Sequence, residues 1–279
     1  MTDQTHGATT EAADLDPAGT YLASLRGGRW RSSWLFKALS IALVLALWEW
    51  AGRIPVSPTF PTFTATAAAL YEMLLDGSLI VAYGETLQPM IIGIALCAIF
   101  GIIFGLLMGL SRPFEWATMP VWVITQAAPM GAIIPLIIVV YGIGVAAKVA
   151  AVVLMAAPIV VLNSYTGIRN VNAGLVEMSR SFLATPSQQV FKIILPAASG
   201  LIFAGFRLGL AQGLTGAVLA ELLITPTGVG DLITYNQSIA DYPRMFASVF
   251  SIIIFASVAV TLLQMAEIRF FRQDQRVLA

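Results

Sequence analysis

The 279 residues hold one histidine, His6, one cysteine, Cys97, and three lysines, Lys37, Lys148 and Lys192. Each scarcity closes off a chemistry. A Ser-His-Asp set needs a histidine within an ordered fold, and a metal centre needs a His/Cys cluster; the chain offers neither. One thiol forms no internal disulfide, and Cys97, inside an apolar run, reads as a small buried hydrophobe. A nucleotide-binding P-loop needs Gly-Lys-Ser/Thr, but the lysines follow Phe36, Ala147 and Phe191. No bound cofactor and no metal are expected. The formal net charge is zero, so there is no basic footprint for nucleic acid.

Charge of any sign is scarce as well. Charged residues make up 11% of the chain and hydrophobic ones 58%, against about 25% charged in a soluble domain. The solvent for most of this sequence is lipid. Crossing the hydrocarbon core takes roughly 20 apolar residues, and six stretches qualify: about 34–51, 88–110, 117–140, 146–166, 198–223 and 245–267. The sequence thus predicts an all-α integral membrane protein of about six transmembrane helices. Residues 31–272 form the membrane domain. Residues 1–30, polar and low in large apolar residues, read as a disordered tail, and 273–279 as a second tail. No apolar h-region follows a basic start, so the N-terminus is not read as a secretory signal.

Basic residues orient the spans. With the N-terminus inside, Arg26, Arg29, Arg31, Lys37, Arg112, Arg169, Arg180, Lys192, Arg269, Arg272 and Arg276 are cytoplasmic. Arg53, Lys148 and Arg244 are outside, and Arg207 falls within a span. The asymmetry predicts both termini in the cytoplasm.

Some spans are irregular. The third carries Pro120, Pro129 and Pro135. Proline removes a backbone donor, and in lipid the freed carbonyls need protein or a watery cavity. Gln126, Pro129 and Met130 are therefore candidates to line a translocation path, although membrane helices also tolerate proline for packing reasons alone. Gly101, Gly105 and Gly109 in the second span, and Gly205, Gly209 and Gly213 in the fifth, make smooth stripes for close helix packing. Whether they pack within the chain or across a dimer is left open. Asn163, Gln212, Thr215 and Glu221 are polar groups within spans, each either a path residue or an interhelical hydrogen-bonding group. Glu221 and Arg207, roughly 21 Å apart along one helix, are not a pair; both lie near enough to span ends to snorkel.

The stretch between the fourth and fifth spans, VEMSRSFLATPSQQVFKIILPAA (176–198), is far longer than a connector needs. Asn172 caps a first helix running to about Leu183, with Leu175, Met178 and Phe182 on one stripe. Thr185, Pro186 and Gln188 then form a capping box with proline at the first helical position. Val190, Ile193 and Ile194 give the next helix an apolar face, and Pro196 ends it or begins the fifth span. Two short helices of mixed charge in the cytoplasm suit docking on a protein better than lying on lipid, which favours a basic face.

These residues resemble the EAA loop of bacterial ABC importer permeases: EAA, three residues, Gly, nine residues, Ile-x-Leu-Pro. Glu177-Met178-Ser179 stands at EAA, Leu183 at the glycine, and Ile193, Leu195 and Pro196 match the end of the pattern. The stretches GLLMGLSRPFEW (105–116), APMGAIIPLIIVVYGIG (128–144), GFRLGLAQGLTGAVLAELL (205–223) and TGVGDLI (227–233) are similar to the nitrate/sulfonate/taurine-type branch. The resemblance covers roughly 34–270. It implies a type I ABC importer permease fold in the bacterial inner membrane, commonly as a homodimer. Two ATP-binding subunits would sit beneath it and use ATP and Mg, and a soluble extracytoplasmic binding protein would deliver a small organic or inorganic anion. It further implies that a coupling loop at about 172–196 docks on the ATPase through Glu177, Ser179, Arg180, Phe182, Leu183, Ala184, Thr185, Pro186, Ile193 and Pro196. The competing function is an ion-gradient-driven transporter or channel without an ATPase. It would need intramembrane carboxylate or histidine relays, for which the sequence offers Glu221 and, nearer span ends, Glu49 and Glu85. A membrane enzyme is disfavoured by the missing histidines.

Overall fold

The computed structural model describes residues 33–54, 59–224 and 226–271. The two predicted tails, 1–30 and 273–279, lie outside these residues. The described chain is helical: α1 (Ser33–Arg53), α2 (Phe63–Leu75), α3 (Ser78–Leu110), α4 (Arg112–Ala127), α5 (Met130–Tyr141), α6 (Val145–Arg169), α7 (Ala173–Ser181), α8 (Pro186–Gln189), α9 (Leu195–Leu223), α10 (Val229–Ser238) and α11 (Tyr242–Phe271). Five helices are long and apolar enough to cross a membrane, and the bent pair α4–α5 makes a sixth.

All six expected spans are there, with two corrections. The second span starts at Ser78, not 88. The side chain of Asp76 accepts from the Ser78 N–H at 2.9 Å, and Leu79 packs with Ala69, Met73 and Ala247, so the helix begins as soon as it has a cap and a partner. The third span is not one helix. It breaks at Ala128–Pro129 and turns by 111°. The residue before a proline is pushed out of the helical region, and Ala128 is extended (φ −67°, ψ 140°). Pro120 and Pro135, lacking that consequence, stay inside α4 and α5. Nor does the first half of this span face the interior of the chain: α4 buries no residue. Among the described side chains of α5, Ile134 and Ile137 are buried, against Ala147, Ala151, Ala220 and Ile224.

The bundle is centred on α6. Lipid tails are as apolar as leucine, so helices in a membrane associate through close packing, not through water exclusion. Both glycine stripes serve that end within the one chain. A Cβ on Gly101 would come 2.7 Å from Val160 Cγ1, and one on Gly109 would come 2.5 Å from Ile168 Cγ2. From the other side, a Cβ on Gly209 would come 2.5 Å from Val160 Cγ2. Thus α3 and α9 close on opposite flanks of α6, whose Ala147, Ala151, Ala156, Val160 and Val161 are buried.

Helices α1, α2 and α11 flank this core. Trp48 lies 5.6 to 6.3 Å, ring to ring, from Phe60, Phe63, Phe246 and Phe250, and its Nε1 donates to Pro61 O at 3.2 Å. Such an aromatic cluster, with its polar tip satisfied, belongs at a membrane interface. The short helices α2, apolar but only 13 residues long, and α10 had no run long enough to announce a span. They lie at the bundle end where α3 starts and α9 stops.

Candidate functional site

The two ends of the bundle carry different chemistry. At one end the loop of 172–196 folds as its caps dictate. The Asn172 side chain accepts from Gly174 N at 2.8 Å. Thr185 Oγ1 accepts from Gln188 N at 3.4 Å, and Gln188 Oε1 accepts from Thr185 N at 2.9 Å, closing the capping box. Between the helices the chain turns through a Schellman motif. Ala184 N donates to Ser179 O at 3.0 Å and Leu183 N to Arg180 O at 2.9 Å. That motif needs a left-handed residue at Leu183, and its φ is 56°. Glycine is the usual occupant because a Cβ is strained there.

After α8 the helix unwinds slightly into a π-type turn, Val190–Ile194, where Leu195 N reaches back to Val190 O. Pro196 follows within the first turn of α9. With no N–H it skips one rung of the ladder, and π-bulges mark such skips. The buried Ile194 anchors the turn against Ile168, Ala198 and Ile202. Pro196 therefore begins the fifth span instead of ending the loop helix.

The candidate docking residues divide into two groups. Glu177, Arg180, Thr185 and Pro186 are exposed, and Phe182 and Leu183 project almost fully, at 79% and 90% exposure. Ser179 is buried and donates to Val176 O at 2.6 Å, so it holds the loop together. Ala184 and Ile193 are half-buried, and Pro196 is exposed. Phe191, 67% exposed, joins the projecting group; it lies off the apolar stripe of Val190, Ile193 and Ile194, so periodicity does not mark it. Among the described residues, Glu177, Arg180 and Lys192 make no ion pair. A groove of about 500 Å³ beside them is lined by Glu177, Arg180, Arg169 and Gln189. Three charges without an ion pair among the described residues thus lie beside three projecting apolar side chains on one short loop.

The path candidates are less unified. Gln126 and Pro129 are exposed at the break between α4 and α5, and Met130 opens α5. Gln212 and Thr215, one turn apart on α9, are also exposed. Asn163 instead donates to Ile159 O at 2.8 Å and packs on Gly205, which makes it a packing residue between α6 and α9.

Glu221 does not snorkel. It is buried at the opposite end of the bundle, and its Oε1 accepts from Lys148 Nζ at 3.1 Å. Its Oε2 accepts from Thr86 Oγ1 and from Gly230 N, each at 3.0 Å. Lys148 Nζ donates also to Thr227 Oγ1 at 2.7 Å and to Thr227 O at 3.3 Å. Lys148 is therefore no free loop charge, as the orientation count took it to be. Seventy-three residues separate the partners, so no local pattern could have paired them. Arg207, the other intramembrane charge, meets Glu267 at 3.3 Å.

Residues 98–272 match the family of binding-protein-dependent transport system inner membrane components. A putative aliphatic sulfonates transport permease protein SsuC of Bacillus subtilis is 32% identical over 249 residues, 88% of this chain and 89% of the relative. The riboflavin transport system permease protein RibX of Chloroflexus aurantiacus is 30% identical over 222 residues, 78% of this chain and 83% of the relative. Among solved structures, the inward-facing MetNI methionine ABC transporter superposes with a TM-score of 0.59. It has 22% identity and covers 70% of this chain and 94% of that one. That likeness establishes the fold.

Proposed function

Because the chain belongs to the family of binding-protein-dependent transport system inner membrane components, we propose that its exposed helix pair α7–α8 is where a separate ATPase delivers its stroke. The chain is an ABC importer permease subunit with the type I fold, a multi-pass transport component and not an enzyme. Two such chains form a homodimer around the path. Two ATP-binding subunits, using ATP and Mg, lie on the cytoplasmic side, and a binding protein seats on the other. Both termini are cytoplasmic. This orientation follows from the basic residues, and withdrawing buried Lys148 from the outside set sharpens the asymmetry.

The observation that carries the coupling role is the pairing of projecting Phe182, Leu183 and Phe191 with unpaired Glu177, Arg180 and Lys192 on one short loop. A lipid-facing loop would keep the apolar groups and shed the unpaired carboxylate. The solute is a small anion of the sulfonate, nitrate or carboxylate kind, supported by the sulfonate relative. Exposed Gln126, Gln212 and Thr215 offer the uncharged hydrogen bonds that let a polar solute pass without being held. A gradient-driven transporter is disfavoured because Glu221, its best relay candidate, is already committed to Lys148.

The test is Glu177→Lys in the co-expressed complex. It places like charge beside Arg180 and should lower ATPase recovery by pull-down at least tenfold, since like charges juxtaposed at an interface cost several kcal/mol and each ~1.4 kcal/mol is a factor of ten, with membrane abundance unchanged. Unchanged recovery and uptake would remove the loop from this role.

A further inference from the structure

Glu221, Lys148 and Thr86 come from three long helices, α9, α6 and α3, and meet behind the loop that leads into α10. The convergence is complete. Both carboxylate oxygens of Glu221 are occupied, and Lys148 Nζ has three acceptors. Thr86 Oγ1 also accepts from Val229 N at 3.0 Å, so one hydroxyl joins the carboxylate to the first residue of α10. Side chains are missing where the loop crosses: a Cβ on Gly228 would overlap the Glu221 carboxyl, and one on Gly230 would come 2.5 Å from Glu221 Cβ. The Gly228 backbone, at φ 88°, also lines an open pocket of about 470 Å³ at the same end.

A buried, satisfied ion pair adds little net stability over apolar residues of the same shape. What it adds is uniqueness, because the groups are satisfied in one arrangement only. Here that arrangement fixes α10 on the α3–α6–α9 core, at the end away from the α7–α8 helix pair. We propose that Thr86, Lys148 and Glu221 are positioning residues that clamp α10, so that the binding protein's arrival on that face is felt by the bundle. This rests on the permease reading, in which that end faces outward. Without the clamp, α10 would still pack but would yield locally when the binding protein docks, and the signal to the ATPase would fade.

The experiment uses the whole complex, permease with ATPase and binding protein, in proteoliposomes. It measures basal ATPase, binding-protein-stimulated ATPase and solute uptake. T86V keeps both charges and the side-chain shape but removes the hydroxyl linking Glu221 to Val229. Membrane abundance and basal ATPase should match wild type, while stimulation and uptake fall at least fivefold, because the substitution removes both buried hydrogen bonds that run through Thr86 Oγ1 to Glu221 and Val229. T86S, which restores the hydroxyl, should recover both. The single variants K148M and E221Q each strand a buried partner and should lose abundance. The double variant K148M/E221L, leaving no lone charge and no acceptor for Thr86 or Gly230, should recover abundance relative to the single variants but not stimulation. A T86V complex with wild-type stimulation, or a double variant with full uptake, overturns the clamp and leaves the permease reading standing. Should T86V fail to accumulate, the double variant alone decides. A wild-type complex that the binding protein does not stimulate overturns the permease reading and the clamp with it.

Discussion

Leu183 sits where the turn between α7 and α8 wants glycine, and its substitution separates two effects. Its φ of 56° lies in the left-handed region, which costs a residue with a Cβ roughly 1 kcal/mol or more relative to glycine. The two Schellman hydrogen bonds at 3.0 and 2.9 Å hold it there. Its side chain is 90% exposed, so it gives the free loop almost nothing; on the proposed coupling role its value comes on binding the ATPase. Burying a leucine fully is worth about 1.5–3 kcal/mol, or roughly 10- to 100-fold in affinity. Leu183→Ala should therefore weaken ATPase binding by about tenfold or more while leaving the turn strained. Leu183→Gly should weaken binding equally but slow hydrogen exchange at the Ala184 amide about fivefold relative to the alanine variant, because the open turn no longer gains by relaxing. Exchange measured by mass spectrometry on the purified permease reads the first effect, and titration of the ATPase subunit reads the second. Equal exchange in the two variants would refute the strained turn. Wild-type ATPase affinity in both would refute the docking role of the side chain.

Other outcomes follow from the packing. Gly209→Val puts two methyl groups and a branch point where a bare Cβ already lies 2.5 Å from Val160 Cγ2; overpacking of this kind costs about 1–3 kcal/mol and should lower the thermal midpoint in detergent, whereas Gly200→Val, with nothing within 4 Å, should not. Pro129→Ala returns a backbone N–H and frees Ala128 to turn helical. Spin-label distances between α4 and α5 should lengthen toward those of one continuous helix, and unchanged distances would mean that tertiary packing, not Pro129, makes the bend.

Much of this architecture was legible because lipid imposes it. Backbone polar groups must be satisfied inside each segment, so the spans had to be helices, and their apolar runs showed where. The loop was legible for a different reason: caps are local, and Asn172, Thr185 and Gln188 announce their own geometry. What escaped the sequence was set by contacts between distant residues. Lys148 and Glu221 looked like two separate end charges because their meeting depends on α6 and α9 lying side by side. The glycine stripes announced close packing but not which helix would fill them; α6 meets both, and Ile94 of α3 fills the space at Gly213. The break at Pro129 was visible only as a proline among three, and its neighbours Pro120 and Pro135 stay within helices. The short helices α2 and α10, below the length of a span, gave no span signal.

The central claim is that this chain transports only when a separate ATPase drives it through α7–α8. Solute uptake into proteoliposomes tests it most directly, with the permease reconstituted alone, with its binding protein, and with binding protein, ATPase and ATP-Mg. Uptake is expected in the last case alone, and it should disappear with a non-hydrolysable ATP analogue. Uptake by the permease alone, driven by an ion gradient, would contradict the account.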